Sequence, residues 1–351
     1  MNNSVTTKGE TSQRLSLRFR KDGLLPRILL ALALSLAVAA LLILLAQKNP
    51  LEAFAAMLAG AFGSPHQIGV ALNRTSPYLF AGAGLALCFR AGVINMGSDG
   101  QIAMGGIGAT AIILAWPGTP GAMAAIAALI AAAVTGGLWA GLATAIHLYR
   151  RVHEVLATLL LNFVALLLVQ LLLSGALGQP GAGFLQSPLM PRSVWLPRLP
   201  SFDFHIGIIL AVIAAVIVSF LLWKTTFGFA VRVAGRSRPA AAYAGFSIAA
   251  ITWQLMLGAG AMAGLGGGVE ILGLQHRLIE GFSSGFGFKA VTVALLGALE
   301  PALTIPAALF VGFLETGALA MQRQIGVPSS LVTVIEAATM LFILAATVRR
   351  S

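Results

Sequence analysis

The chain has 351 residues, of which 58% are hydrophobic and only 9% charged, with 40 glycines. A soluble domain carries about a quarter charged residues, so this composition excludes one and indicates an integral membrane protein. The net charge of +11 does not point to nucleic acid, because the cations sit at the ends of apolar runs, where cytoplasmic loops and anionic lipid account for them.

Residues 1–26 are polar and basic (Lys8, Arg14, Arg18, Arg20, Lys21) and read as a cytoplasmic tail. Arg27–Gln47 is apolar enough to span. It is long for a signal peptide, and Gln47-Lys48-Asn49-Pro50 is a poor cleavage site, so an uncleaved first span is expected. Leu51–Phe62 reads as a short external amphipathic helix, closed by Gly63-Ser64-Pro65. The second span is Gln67–Phe89, ending inside at Arg90, with Arg74 expected to reach outward to headgroups. Cys88, the single cysteine, rules out an internal disulfide and is expected to pack in a helix, and the scattered histidines make no His-x-x-x-His pair, so no metal site is expected.

The third segment, Val93–Trp116, opens with Asn95, Asp99 and Gln101 among glycines, which is costly against lipid. One carboxylate at mid-helix costs about 2.5–3.5 kcal/mol. Asp99 therefore faces protein, a cavity or the interface, and both a helix cap and a gate remain open as readings. The fourth span, Ala122–Leu148, is rich in small residues, and Tyr149-Arg150-Arg151 marks the cytoplasm. In the fifth, Val155–Leu173, Thr158 and Asn162 lie one turn apart and can bond a neighbouring helix or line a path. Residues 175–204 form a long external loop whose prolines predict extended chain.

The sixth span, Ile206–Trp223, leads to Lys224–Phe246, a basic loop without an acid. Within it Phe227, Ala230, Val231 and Ala234 have helical spacing, which predicts a short helix over Thr226–Ala234. Gly235 stops it, and Pro239 opens a second through Tyr243. Two such helices make a knob that another protein can grip or that anchors in headgroups. In the seventh span, Ser247–Leu272, Gly260, Gly264 and Gly268 form a stripe for close packing, and Glu270 stands near the outer end. No Gly-Lys-Ser/Thr follows these glycines, so there is no Walker A site and ATP is not hydrolysed here by that device. Gly285-Phe286-Gly287-Phe288 predicts a re-entrant bend, Lys289–Leu299 is half a span, and Ala302–Ala320 and Leu331–Val348 return before the basic end, 349–351.

Several stretches, in order, resemble ABC importer permeases of the sugar and nucleoside branch. Phe89-Arg90-Ala91-Gly92-Val93-Ile94-Asn95-Met96-Gly97-Ser98-Asp99-Gly100-Gln101 is similar to that family's Phe-Arg-x-Gly-x-x-Asn-Ile-Gly-x-Glu-Gly-Gln. Glu154-Val155-Leu156-Ala157-Thr158-Leu159-Leu160-Leu161-Asn162 is similar to its Glu-Val-x-x-Thr-x-Met-Leu-Asn. Thr225-Thr226-Phe227-Gly228, Arg232-Val233-Ala234-Gly235 and Pro239-Ala240-Ala241-Ala242-Tyr243-Ala244-Gly245 resemble its cytoplasmic loop. Gly287-Phe288-Lys289-Ala290-Val291 resembles its Gly-Phe-x-Gly-Ile, with Lys289 a departure. The resemblance covers about residues 27–348 and is nearest to guanosine-type nucleoside permeases.

The resemblance implies an all-α polytopic membrane bundle of about ten segments (8–10), both termini cytoplasmic, with short coupling helices. It implies a bacterial inner-membrane permease subunit for a nucleoside, not itself an enzyme, with no cofactor of its own and ATP and magnesium held by a partner. Implied partners are a cytoplasmic ABC ATPase, a second permease subunit and a periplasmic or lipid-anchored substrate-binding protein. Phe227, Gly228, Arg232, Gly235, Pro239, Tyr243 and Gly245 are the candidate coupling residues. Asn95, Asp99, Gln101, Asn162, Glu270, Phe286 and Phe288 are candidates for a path or gate. A sugar permease of the same branch is the alternative. From another class, so is an ion-coupled transporter using Asp99, Glu315 or Glu336, although no internal repeat supports it.

Overall fold

The computed structural model describes residues 24–347. The tail expected over 1–26 and the basic end at 349–351 lie outside the described residues, apart from the start of the first helix. The described chain is almost wholly α-helical. Its elements are α1 (Leu24–Leu45), α2 (Pro50–Phe62), α3 (Pro65–Arg90), α4 (Ser98–Ala115), α5 (Gly121–Arg150) and α6 (Glu154–Leu173). A small antiparallel pair, β1 (Arg198–Leu199) and β2 (Phe204–His205), precedes α7 (Gly207–Lys224), α8 (Thr226–Arg236) and α9 (Arg238–Tyr243). Then come α10 (Ile248–Glu270), α11 (Phe286–Leu296), α12 (Thr304–Ile325) and α13 (Ser329–Thr347).

Helix α10 is the centre of the bundle, packed on α3, α4 and α5. Its most apolar window is 72% buried, against 28% for α5, which turns its large side chains outward. The approach rests on small residues. A Cβ on Gly264 would overlap the Ala132 carbonyl, one on Gly260 the side chain of Ala140, and one on Gly267 the Ile102 carbonyl. Without a hydrophobic drive between helices in lipid, such close backbone packing holds the bundle together.

Among the described residues five helices are long and apolar enough to cross a membrane, or six if α1 and α2, bent by 118°, count as one. Helix α3 misses that test because its middle is polar, with Asn73, Thr75, Ser76 and Pro77 all buried inside the bundle. Helix α2, expected as a short external amphipathic helix, buries one face and leaves Leu51, Leu58 and Phe62 exposed. Its Ala53, Ala56, Gly60 and Ala61 are buried, and Gly60 sits directly on Ala320 of α12.

The 175–204 loop is extended as its prolines predict, with one short 3-10 turn at Arg192–Val194. It is strapped onto the segment after α10 by backbone hydrogen bonds from Ser187 N to Leu278 O (2.8 Å), Met190 N to His276 O (2.9 Å) and Leu196 N to Leu272 O (3.1 Å). Helix α10 runs on through a π-helical turn, Ile271–Gln275, and His276 ends it in the left-handed region at φ 57°.

At the opposite end lie the C-termini of α3, α5 and α7, the hairpin of α8 and α9, and the starts of α6 and α12. The tie from Arg238 to the Gly92 carbonyl (2.8 Å) and that from Ile94 N to Glu154 (3.0 Å) are among the bonds that hold this end.

Candidate functional site

Helices α8 and α9 form by local rules. The Thr225 hydroxyl accepts from Gly228 N at 3.1 Å and caps α8, and Ser237 accepts from Ala240 N at 3.3 Å and caps α9. Pro239 stands in the first turn of α9, where its missing N–H costs nothing. One face of α8 (Ala230, Val231, Ala234) is buried with Cys88, Leu222 and Leu255, and Phe227 packs half-buried beside it.

Gly228 and Gly235 let α8 lie against backbone. A Cβ at Gly228 would overlap the Leu221 and Leu222 carbonyls, and one at Gly235 the Arg90 carbonyl. Arg232 donates to the Leu222 carbonyl and stacks 4.9 Å above the Trp223 ring. Gly245 ends the hairpin in the left-handed region at φ 86°. Tyr243, by contrast, is 96% exposed and its side chain bonds to none of the described residues. Beside the hairpin a cavity of about 330 Å³ opens between Arg90, Trp223, Phe229, Arg232 and Arg236. The surface is cationic and aromatic.

The path candidates fall into separate places. Asn95, Gln101 and Asn162 are buried together at the start of α4. Asn95 Oδ1 accepts from Gly97 N (2.9 Å) and from Gln101 Nε2 (3.0 Å). Asn162 Oδ1 accepts from Gly100 N, and its Nδ2 donates to the Met96 carbonyl, each at 2.8 Å. Thr158 accepts from Met96 N at 3.2 Å. These side chains satisfy free N–H groups in and just before the first turn of α4, which would otherwise be buried without partners. Asp99 reaches a different element, accepting from Gly287 N of α11 at 2.7 Å.

Phe286 meets Tyr78 edge-on, with centroids 5.4 Å apart, while Phe288 is 55% exposed. Glu270 lies apart from the Asn95–Asn162 network. Its Oε1 accepts from Gln275 Nε2 at 3.1 Å, and its buried Oε2 has no hydrogen-bond partner among the described residues.

One grouping was not visible in the sequence. Lys289 of α11 lies 3.2 Å from Glu315 of α12 and 3.3 Å from Glu336 of α13. Arg74 of α3 pairs with the same Glu315 at 3.1 Å, and the Tyr78 hydroxyl donates to its other oxygen. Arg74 thus points to a carboxylate within the bundle and not to headgroups. Four helices meet in one charge-balanced layer. Each residue stood out singly as a charge within an apolar run, but 241 positions separate Arg74 from Glu315.

The strapped loop closes the other end. Trp195 stacks on His276 with centroids 3.7 Å apart, and Arg198 donates to the Gly273 carbonyl at 3.0 Å. His205 is fully buried, its backbone N–H donating to Asn73 Oδ1 at 2.9 Å. Burial, reinforced by Arg198 and His276, pushes His205 down to about 4; burial and Arg198 also lower His276.

Residues 67–344 match the family described as branched-chain amino acid transport system / permease component. The chain is 34% identical to the guanosine ABC transporter permease protein NupP of Bacillus subtilis, over 90% of this chain and 91% of that protein. It is 32% identical to a glucose ABC transporter permease protein of Haloferax volcanii, over 88% and 84% of the two chains. It is 28% identical to the nucleoside ABC transporter permease protein NupB of Lactococcus lactis, over 90% and 89%. No solved structure matches. With a bundle of apolar helices, a cationic helical hairpin at one end, and a family match that takes in every helix from α3 to α12 and most of α13, the chain belongs to the permease family of ABC transporters.

Proposed function

We propose that this chain is the membrane-spanning permease subunit of an ABC importer that passes a nucleoside inward, driven by ATP hydrolysed on a partner. The observation that carries the reading is the α8–α9 hairpin. Its underside is locked to α3 and α7, while Tyr243 at the end of α9 is 96% exposed and its side chain bonds to none of the described residues. A rigid knob with an unused aromatic tip suits a partner's socket. The partners are a cytoplasmic ABC ATPase, which holds ATP and magnesium, a second permease subunit and a periplasmic or lipid-anchored substrate-binding protein. This chain holds no cofactor of its own.

The chain crosses a bacterial inner membrane in about ten segments with both ends cytoplasmic. The count includes α3 and α4, polar because they face inward, and takes α11 as a half-length segment. The nucleoside is supported by the similarity to NupP and NupB. The similarity to a glucose permease favours a simple sugar as the second reading.

The test is uptake of labelled guanosine by vesicles carrying this chain with its partner subunits. ATP-dependent uptake that survives an uncoupler is the expected result. Uptake that collapses with the ion gradient overturns the importer reading, and ATP-dependent uptake of glucose but not guanosine replaces the solute.

A further inference from the structure

The coupling hairpin and the buried charge layer are joined by one short element. Helix α11 has 11 residues, about 16 Å at 1.5 Å per residue. Its first turn is tied to four neighbouring helices: Gly287 N–H to Asp99 of α4, Phe286 against Tyr78 of α3, and Lys289 to Glu315 of α12 and Glu336 of α13. Its other end runs to Glu300, beside the coupling hairpin. Glu300 Oε1 accepts from Trp223 Nε1 at 2.7 Å and from Ser219 Oγ at 3.2 Å, both on α7. Its Oε2 lies 3.5 Å from Arg90, which also donates to the Leu299 carbonyl at 3.2 Å.

The same Trp223 ring carries the hairpin. Arg232 of α8 stacks over it at 4.9 Å and Arg90 at 5.2 Å, and Gly235 of α8 rests on the Arg90 carbonyl. A displacement of α8 therefore bears on Trp223 and Arg90, and both hold Glu300.

The flanks of α11 are built to bend. Gly285 before it is left-handed at φ 86°, and after it Ala298 and Leu299 are both left-handed, at φ 52° and 58°. Non-glycine residues rarely adopt that region, and a consecutive pair persists only when its surroundings hold it. Here the pair is held by backbone bonds to the end of α11, from Ala298 N to Leu295 O (2.9 Å) and Leu299 N to Ala294 O (3.0 Å), and by Arg90 of the Glu300 cluster on the Leu299 carbonyl.

We propose that Glu300 is the positioning residue through which the coupling hairpin moves α11, and that α11 carries the movement to the Lys289–Glu315–Glu336 layer. The proposal rests on the importer reading but not on which solute is carried. Loss of the Trp223–Glu300 bond frees the Ala298–Leu299 hinge. Partner docking at Tyr243 then no longer reports to the charge layer.

The test uses the whole transporter in proteoliposomes, with Glu300→Gln, Glu300→Asp and Trp223→Phe in this chain. Trp223→Phe keeps a ring for the arginines to stack on but removes the N–H donor. In each background Phe288→Cys, at an exposed position of α11, is labelled with a maleimide, with and without ATP and vanadate; the natural Cys88 is buried and stays silent. In the parent, nucleotide trapping changes the labelling rate about fivefold or more, the low end of an allosteric coupling. Glu300→Gln and Trp223→Phe abolish that change while the ATPase still co-purifies and hydrolyses ATP, and Glu300→Asp restores it.

A change that persists in both Glu300→Gln and Trp223→Phe overturns the proposal, and so does a parent whose labelling ignores nucleotide. Guanosine uptake per ATP is read in parallel. Its absence in a parent that still shows the labelling change removes the nucleoside and leaves the relay standing.

Discussion

Lys289 is the residue on which the buried layer balances. It is the sole ion-pair partner of Glu336 among the described residues and shares Glu315 with Arg74. Removing one member of a buried pair leaves an uncompensated charge and costs about 3–5 kcal/mol, more than the pair itself contributes. Lys289→Met is expected to lower the thermal midpoint of the detergent-solubilised transporter by several degrees. Adding Glu336→Gln should recover much of it, because the stranded carboxylate is then gone. A Lys289→Met transporter as stable as the parent would refute this reading of the layer.

His205 gives a pH dependence of known sign. Its folded pKa is lowered to about 4 from 6.5, so between those values the folded protein binds fewer protons than the unfolded chain. The stability that its neutral ring contributes is complete above about 6.5 and is lost as pH falls toward 4. Gly207 and Gly273 pack directly on this ring, so the strain of protonation falls on the cap. Amide hydrogen exchange across residues 196–207, corrected for intrinsic rates, should show less protection at pH 4.5 than at pH 7. Equal protection at both would count against it.

At the scale of elements, α8 and α9 carry the coupling prediction. Tyr243→Ala removes only exposed surface, so the fold should keep its thermal midpoint while co-purification of the ATPase drops steeply. Gly235→Val pushes α8 off the Arg90 carbonyl and should lose the ATPase too, with membrane insertion unchanged. Undiminished ATPase recovery with both variants would remove the hairpin from the docking surface.

These two helices were legible in the sequence because the signals are local, apolar residues at helical spacing and Pro239 in the first turn, although α8 runs through Gly235 to Arg236 where a stop at Gly235 was expected. The glycine stripe of α10 was legible for the same reason, though not the helix that receives it. What could not be read is which distant residues meet. Asn162 caps the backbone of α4 from 62 positions away, and Asp99 caps that of α11 from 188. The amphipathic character of α2 is likewise local, but not the helix its Ala and Gly face packs on, which is α12.

The whole molecule has two unlike ends, and their difference predicts which faces the cytoplasm. At one end Arg90, Arg150, Arg151, Lys224, Arg236 and Arg238 gather around the helix termini and the hairpin. At the other, the strapped 175–204 loop covers the end of α10 with short turns and hydrogen-bonded side chains. Cations near span ends are retained inside, whereas charges on long loops weigh little, so the hairpin end is expected to face the cytoplasm. The assignment fixes the direction of coupling, because only a cytoplasmic hairpin can meet an ATPase. Single cysteines at Tyr243 and at Phe184, 96% and 63% exposed, report the two ends against a buried Cys88. In intact cells a membrane-impermeant maleimide should label Phe184→Cys and leave Tyr243→Cys unreacted until the membrane is opened. The reverse pattern would place the hairpin outside, where no ATP-hydrolysing partner could drive it, and would overturn the importer reading together with the topology.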